Sequence, residues 1–217
     1  MIQHVYETSK KCIELDEVYV ATDDTKIYSC VDGFGGKAII TKKDHISGTD
    51  RVYEAVEKIK IDDKDIVVNI QGDQPVFRPS IISKLISPLK DDLKIPMSTL
   101  MCKIQNDTDL QDINKVKVVI DRNYNALYFS RLPIPFARDE NVNPVYYKHI
   151  GVYAYRKKFL YRFTKLPYGL LENSEKLEQL RAIEHGFKIR MVETFYDSIE
   201  VDLPENIMMV EKIFSKK

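Results

Sequence analysis

Two aspartates follow predicted strands in positions that suit binding of a metal ion. Asp73 comes after the strand-like stretch 65–70, with Gln71 and Gly72 between them, and Asp202 follows a second apolar stretch late in the chain. Ligands of open α/β sheets bind just beyond the carboxyl ends of the strands, so carboxylates at two strand ends can converge on one point. Two oxygen ligands that leave other positions open suit Mg²⁺ carrying a phosphate. One hypothesis is therefore a shared Mg²⁺ site, and the alternative is that each aspartate caps a helix.

Other candidate residues also have a purely structural interpretation. His149 lies on an aromatic strand, where a hydrogen-bonded structural histidine is common. Arg131 lies at a predicted strand end, where an arginine is ordinarily solvated. Four charged residues on one predicted helix fit a solvated outer face: these are Glu175, Glu178, Arg181 and Glu184.

The segments that carry these residues alternate between predicted strands and helices. Apolar residues at helical spacing begin at Ile2, and further amphipathic stretches follow each early strand. Such alternation predicts an α/β fold with a doubly wound, mostly parallel, Rossmann-like sheet and helices on both faces. The early strands are predicted at 17–22, 37–41, 65–70 and 97–104.

The pattern changes in the second half of the chain, where strands follow one another without a helix between them. Strands at 116–120 and 126–130, joined by a polar turn, predict an antiparallel pair. A proline-containing loop then leads to an aromatic strand at 147–155. We predict one domain over 1–217 with an antiparallel excursion at about 115–156.

The last part of the chain returns to mixed elements. A helix is predicted to begin at Ser174, and Pro204 occupies the favoured first position of a terminal helix. The predicted elements after the excursion are helices at 157–165 and 174–185 and strands at 188–192 and 199–201.

The composition excludes several classes of protein. Lys+Arg and Asp+Glu both number 33 in 217 residues, so no net charge favours nucleic acid or an anionic membrane. Three cysteines without a CxxC pair argue against a disulfide framework and fit a reducing cytoplasm. No apolar run approaches the roughly 20 residues of a membrane span. We expect a cytoplasmic protein.

The order of short motifs adds a resemblance to a known family. The chain closely resembles the 3-deoxy-manno-octulosonate (Kdo) cytidylyltransferases, also called CMP-Kdo synthetases, over nearly all of its length. The motifs that carry the resemblance lie at 21–23, 44–51, 69–75, 116–119 with 126–131, 149–153, 177–181 and 201–205.

The resemblance implies a function and a set of site residues. Members of this family convert CTP and Kdo to CMP-Kdo and pyrophosphate for lipopolysaccharide synthesis, and they pair as homodimers through the excursion. By analogy, Asp73 and Asp202 bind Mg²⁺, and Ser47 and Arg51 lie near the cytidine. The sugar site implied by the resemblance comprises Gln71, Arg131, His149, Tyr153 and Glu178.

The resemblance also implies a difference at the beginning of the chain. Family members begin with a strand and a loop containing Gly, Arg and Lys that wraps the triphosphate, whereas Met1 matches the segment after that loop. A missing strand and loop would remove backbone donors and cations that a leaving pyrophosphate needs. We therefore expect the chain as printed to be marginally stable, to bind CTP poorly and to lack measurable activity.

Three alternatives remain at this stage. A cytidylyltransferase for another acid sugar, such as a sialic acid, is disfavoured by the motif at 149–153. A truncated, non-catalytic paralogue that serves as a binding or dimerisation partner fits the difference at the beginning of the chain. A dinucleotide-binding oxidoreductase is disfavoured because no GxGxxG motif follows a strand.

Overall fold

The computed structural model of the chain describes residues 1–139, 141–196, 201 and 204–214, without the side chains of 204, 205 and 209. The helices are α1 (Ile2–Lys10), α2 (Thr25–Gly33), α3 (Gly48–Ile59), α4 (Ser80–Asp91), α5 (Asp107–Gln111), α6 (Lys157–Thr164), α7 (Leu170–Glu175), α8 (Leu180–Glu184) and α9 (Pro204–Phe214). The strands are β1 (Val20–Thr22), β2 (Ala38–Ile40), β3 (Ile66–Asn69), β4 (Met97–Lys103), β5 (Lys117–Ile120), β6 (Ala126–Ser130), β7 (Tyr147–Arg156) and β8 (Ile189–Glu193).

The described strands form two sheets. β1 and β2 make a parallel pair, and the other six make a sheet in the order β6-β5-β7-β4-β8, with β3 on β7. One edge of β7 pairs with β4 along its length. The other edge pairs first with β5, at Tyr147 and Lys148, and then with β3 from Tyr153 to Arg156. The ten residues of β7 therefore join three strands of the larger sheet.

The predicted α/β class is confirmed, with one correction to the strand pairing. β3, β4, β5 and β8 point in one direction, whereas β6 and β7 point in the other. Because β7 lies between β3 and β4, the parallel ladders among the described strands are limited to β1 with β2 and β4 with β8. The expectation of a mostly parallel sheet therefore holds for the direction of four of the six strands but not for the ladders, because the central strand β7 runs opposite to its neighbours. A strand that returns from a hairpin excursion has no crossover helix, and it pairs antiparallel.

The predicted helix 174–185 is wrong, because the chain turns within it. α7 ends at Glu175, and Lys176 adopts a left-handed conformation with φ 54°. The N–H groups of Leu180 and Arg181 then bond to carbonyls three residues earlier, which is a tight turn before α8. Of the predicted strand 199–201, only residue 201 is among the described residues, and the terminal helix begins at Pro204 as predicted.

Helices cover both faces of the larger sheet. Alternate residues of β7 point to opposite faces, so Ile150, Val152 and Ala154 pack with α1 and α4, whereas Tyr155 packs with α6 and α8. Each face thus has its own apolar core. Among the described helices, none combines the length and the apolar character that crossing a bilayer requires.

A glutamate from α8 caps the beginning of α7. Glu184 accepts hydrogen bonds from the backbone N–H groups of Leu171 and Glu172, at 2.9 and 3.2 Å, which would otherwise lack intrahelical partners. These bonds lower the pKa of Glu184. The carboxylate lies so close to Gly169 that an added Cβ would be 1.8 Å from Oε2. The α7–α8 pair is therefore held by a contact that only glycine permits.

We expect Gly169→Ala to lower the free energy of unfolding by about 1–3 kcal/mol, because the extra methyl group must displace the Glu184 carboxylate. Urea denaturation followed by circular dichroism measures this change. Gly48→Ala is the matched control, since an added Cβ there has no heavy atom within 4 Å. Equal stability of Gly169→Ala and the wild type would contradict the proposed contact.

Candidate active site

The loop after β3 is fixed by two hydrogen bonds to distant parts of the chain. The Gln71 side chain donates from Nε2 to the carbonyl of Gly151, at 3.1 Å, in the part of β7 that lies between its β5 and β3 ladders. The carbonyl of Asp73 accepts a hydrogen bond from the N–H of Val201, at 2.9 Å. Asp202 itself lies outside the described residues, but its neighbour is thus bonded to Asp73.

A cavity of about 1280 Å³ lies between the two sheets, along the edges of β1 and β3. One end of it is the loop after β3 together with the first turn of α3. Five of the predicted site residues line this cavity, so the structure brings them together. They are Arg51, Gln71, Asp73, Tyr153 and Glu178.

The predicted nucleotide residues meet at the first turn of α3. Ser47 is the N-cap, and its hydroxyl accepts a hydrogen bond from the N–H of Asp50. Arg51 forms an ion pair with Asp23 after β1 and a hydrogen bond to Thr41 after β2, both at 2.8 Å. A helix N-terminus presents unpaired N–H groups and a positive dipole, which favours an anionic ligand at this end of the cavity.

Glu178 is partly buried in the cavity wall, and it is hydrogen-bonded to α3. The hydroxyl of Thr49 donates to its Oε2 at 2.6 Å. Burial raises the pKa of Glu178, while the bonds from Thr49 and Ser47 and the charge of Arg181 oppose that rise. The interpretation of this segment as a solvated outer face is therefore wrong. Thr49 was missed because a threonine in the first turn of an amphipathic helix carries no distinctive sequence signal.

His149 lies beside the cavity and is held as a neutral ring. Its Nε2 is 2.9 Å from the hydroxyl of Thr99, which also lies 2.8 Å from the carbonyl of Val152. Because that hydroxyl donates its one proton to a carbonyl, the histidine nitrogen is the donor in the Thr99 contact. Phe129 packs edge-on against the ring, and burial lowers the pKa of His149 to about 3. The residue is not among those that line the cavity.

Arg131 lies apart from the cavity lining and binds the backbone. Its guanidinium donates to the carbonyls of Glu175, Ile113 and Lys176, at 2.7, 3.0 and 3.4 Å. Its own N–H donates to the Glu175 carboxylate at 3.0 Å. These bonds fasten β6 to the left-handed turn at Lys176. The predicted contact of Arg131 with a sugar carboxylate stays a prediction.

The donor set fits a hard divalent cation such as Mg²⁺. Asp73 faces the cavity, and the Val201 bond holds the residue beside Asp202 against the same loop. Carboxylate oxygens are the ligands that Mg²⁺ prefers. Within the described part of the chain, which excludes Asp202, no three His, Cys, Asp or Glu residues lie close enough together to bind a metal.

Strand ends, a helix N-terminus and Asp73 around one cavity fit an enzyme that binds a nucleotide, and comparisons with known proteins identify its family. A family model described as cytidylyltransferase matches residues 1–190. The chain belongs to this family and is a nucleotidyltransferase enzyme.

Curated relatives and a solved structure are similar over nearly the whole chain. A 3-deoxy-manno-octulosonate cytidylyltransferase of Syntrophus aciditrophicus is 52% identical over 98% of this chain and 86% of the relative. An 8-amino-3,8-dideoxy-manno-octulosonate cytidylyltransferase of Shewanella pealeana is 50% identical over 97% of this chain and 86% of the relative. A solved CMP:2-keto-3-deoxy-manno-octonic acid synthetase in complex with CTP has a TM-score of 0.92 and 40% identity, over 99% of this chain and 87% of that one.

The neutral state of His149 gives a pH-dependent contribution to stability. Its pKa is about 3 in the folded chain and about 6.5 in an unfolded one, so the unfolded state binds more protons between these values. Stability from this group is full above pH 6.5 and is lost as the pH falls toward 3. Stability falls as the pH falls because protonation of His149 favours the unfolded chain.

We expect the free energy of unfolding of the wild type, relative to His149→Gln, to fall by up to about 1.4 kcal/mol per pH unit below 6.5. Urea titrations at half-unit pH intervals measure the difference. Above pH 7.5 the difference should be constant, which is the internal control. If the difference in free energy of unfolding between the two proteins stays constant down to pH 4, His149 takes up its proton as readily in the folded chain as in the unfolded one.

Proposed function

We propose that this chain transfers CMP from CTP to 3-deoxy-manno-octulosonate, giving CMP-Kdo and pyrophosphate for lipopolysaccharide synthesis. Because the family match identifies a nucleotidyltransferase, this proposal replaces the expectation of an inactive chain. The observation that carries the proposal is the pair of bonds from Gln71 to Gly151 and from Val201 to Asp73. They bring together three of the segments in which the predicted metal and sugar residues lie, namely the loop after β3, the middle of β7 and the residue before Asp202. The names of the relatives supply the substrates.

The chemistry requires a hydroxyl oxygen of the sugar to attack the α-phosphorus of CTP. The new oxygen–phosphorus bond forms as the bond to the pyrophosphate oxygen breaks, and the hydroxyl proton leaves to solvent. When bound to Asp73 and Asp202, Mg²⁺ would neutralise charge on the phosphates.

The residues of the chain position the two substrates. The first turn of α3 offers N–H groups to an anionic nucleotide, and Ser47 fixes where that turn begins. Gln71 keeps the acidic loop against β7, while Tyr153 and Glu178 offer a hydroxyl and a carboxylate to the hydroxyls of a sugar. Alignment of this kind lowers the barrier because the reactants no longer have to find each other in solution.

A second candidate substrate is 8-amino-3,8-dideoxy-manno-octulosonate, because several relatives at about 50% identity carry that name. The two sugars differ at one position, where an amine replaces a hydroxyl. Comparison of kcat/KM for the two sugars at fixed CTP decides between them. A higher value for the amino sugar would overturn the choice of Kdo. No turnover with either sugar, with CTP still bound, would favour the non-catalytic alternative.

A cytoplasmic location stays a prediction. The three cysteines are free thiols in the structure, as expected in a reducing compartment.

For the metal proposal, we expect Asp73→Asn to lower kcat roughly 100-fold or more in assays with CTP, Kdo and Mg²⁺, because the amide keeps the shape and loses the charge. Pyrophosphate release measures turnover. Asp32→Asn, on the exposed face of α2, is the matched control and should retain full activity. Mg²⁺-dependent activity that survives in Asp73→Asn would exclude this carboxylate as a metal ligand.

We also propose that the chain forms a homodimer through the excursion. Several apolar side chains of the excursion are exposed, and the most exposed of them is Phe136, at 86%. Contiguous exposed apolar surface commonly marks a protein interface. The other exposed large hydrophobic residues of the excursion are Tyr124, Leu127, Leu132, Val142 and Val145.

Sedimentation velocity at micromolar concentration should show a dimer for the wild type and a monomer for Phe136→Glu, because a charge cannot be buried unpaired at the interface. Leu93→Glu is the matched control, since Leu93 is equally exposed, at 81%, but lies outside the excursion. A wild-type monomer, or a dimer that persists in Phe136→Glu, would count against this interface.

A further inference from the structure

We propose that Arg181 and Glu172 are positioning residues that fix the orientation and the charge of Glu178 for recognition of the sugar. The inference rests on the proposed function in that Glu178 is taken to contact the acid sugar. Neither Arg181 nor Glu172 lines the cavity, so both act through Glu178.

The guanidinium of Arg181 is held rigidly below the cavity. The side chain is 2% exposed, and its Nε and Nη2 donate to the two carboxylate oxygens of Glu172, at 2.8 and 2.6 Å. The aromatic rings of Tyr168 and Phe163 lie 4.3 and 4.9 Å from the guanidinium carbon. A bidentate pair between two rings leaves the guanidinium one orientation.

That orientation directs one nitrogen of Arg181 toward Glu178. Nη2 lies 3.6 Å from Oε1 of Glu178, while the hydroxyl of Thr49 donates to Oε2 at 2.6 Å. The carboxylate is therefore held from both sides, by α3 through Thr49 and by α8 through Arg181. Glu178 lines the cavity, and its Oε1, which faces Arg181, is buried without a hydrogen-bond partner among the described residues.

The cluster contains two carboxylates and one guanidinium. Glu172 makes both short bonds to Arg181, so Glu178 receives the smaller share of the positive charge. Burial raises the pKa of Glu178, and Arg181 opposes that rise. The other titratable groups that act on Glu178 or are affected by it are Asp50 of α3, Tyr155 of β7 and Tyr168 before α7.

The charge of Glu178 matters for binding a sugar. An ionised carboxylate only accepts hydrogen bonds from sugar hydroxyls, whereas the protonated form donates one. The affinity for the sugar should therefore weaken as Glu178 is protonated. Arg181 and Glu172 then set the pH at which this occurs.

Substitutions of the two positioning residues should shift the titration midpoint of Glu178 in opposite directions. Arg181→Met removes the only cation of the cluster, so the titration midpoint of Glu178 should rise by about one pH unit or more. Glu172→Gln removes the competing carboxylate while keeping its shape, so Arg181 is freed to pair with Glu178 and the midpoint should fall. A general loss of packing would not move the midpoint in two directions.

Carbon-13 NMR of protein labelled at glutamate carboxyls measures the midpoint directly in the full chain, without any substrate. Glu178→Gln identifies the signal by removing it. If Arg181→Met fails to fold, which urea denaturation would show, the near-isosteric Glu172→Gln carries the test. Midpoints that stay unchanged in Glu172→Gln, or that move the same way in both variants, would overturn the inference.

Calorimetry of Kdo binding across the pH range gives the functional readout, with CTP binding as the control. The pH midpoint for Kdo affinity should move with that of Glu178, while the affinity for CTP stays within about twofold. A Kdo midpoint that does not follow Glu178 would overturn the role in sugar recognition. Failure of the wild type to bind Kdo at any pH would instead overturn the proposed function, while the NMR titration would still decide the electrostatic coupling.

Discussion

The site depends on how one edge of β7 is divided between two partners. β5 pairs with the first residues of this edge and β3 with the last, and between them the carbonyl of Gly151 is bonded by the side chain of Gln71 instead of by a strand. A Cβ at Gly151 would lie 2.9 Å from that amide nitrogen, so the contact requires glycine. Because Gln71 lies two residues after the end of β3, this bond holds the loop that contains Asp73 against the part of β7 that neither β5 nor β3 pairs with. The antiparallel excursion is thus a part of the active site, since β7 returns from it.

A second constraint is the number of charges that the α7–α8 region removes from water. Glu172 binds Arg181, Glu175 binds the β6 end, Glu178 binds Thr49, and Glu184 caps α7. Burial of a carboxylate is costly unless it is paired or hydrogen-bonded, and each of these four has a partner. The partners lie on different elements, so the glutamates fix the short helices against the sheet and against α3. Their function is structural in three cases, and only Glu178 reaches the cavity.

The sequence was informative where local chemistry determines structure. The apolar stretch before Gln71 and the proline at the start of α9 each have one local interpretation, and the structure agrees with both. It was less informative where contacts are distant in sequence. The insertion of β7 between β3 and β4 joins residues about 80 positions apart, and no periodicity records which strands become neighbours. The turn at Lys176 was missed because leucines spaced three apart continue through it and suggest one helix.

The Thr49–Glu178 hydrogen bond is another contact between residues distant in sequence, since its partners are 129 positions apart. It joins the element that carries the predicted nucleotide residues to a residue of the predicted sugar site. Thr49 lies in the first turn of α3, where the predicted nucleotide residues are, and Glu178 belongs to the predicted sugar site. A hydroxyl–carboxylate bond is strong only while the carboxylate is ionised. The strength of the contact between α3 and the turn before α8 therefore depends on the charge of Glu178, and hence on the buried guanidinium of Arg181. The charges of the α7–α8 pair are in this way coupled to α3, although the two regions are far apart in the sequence.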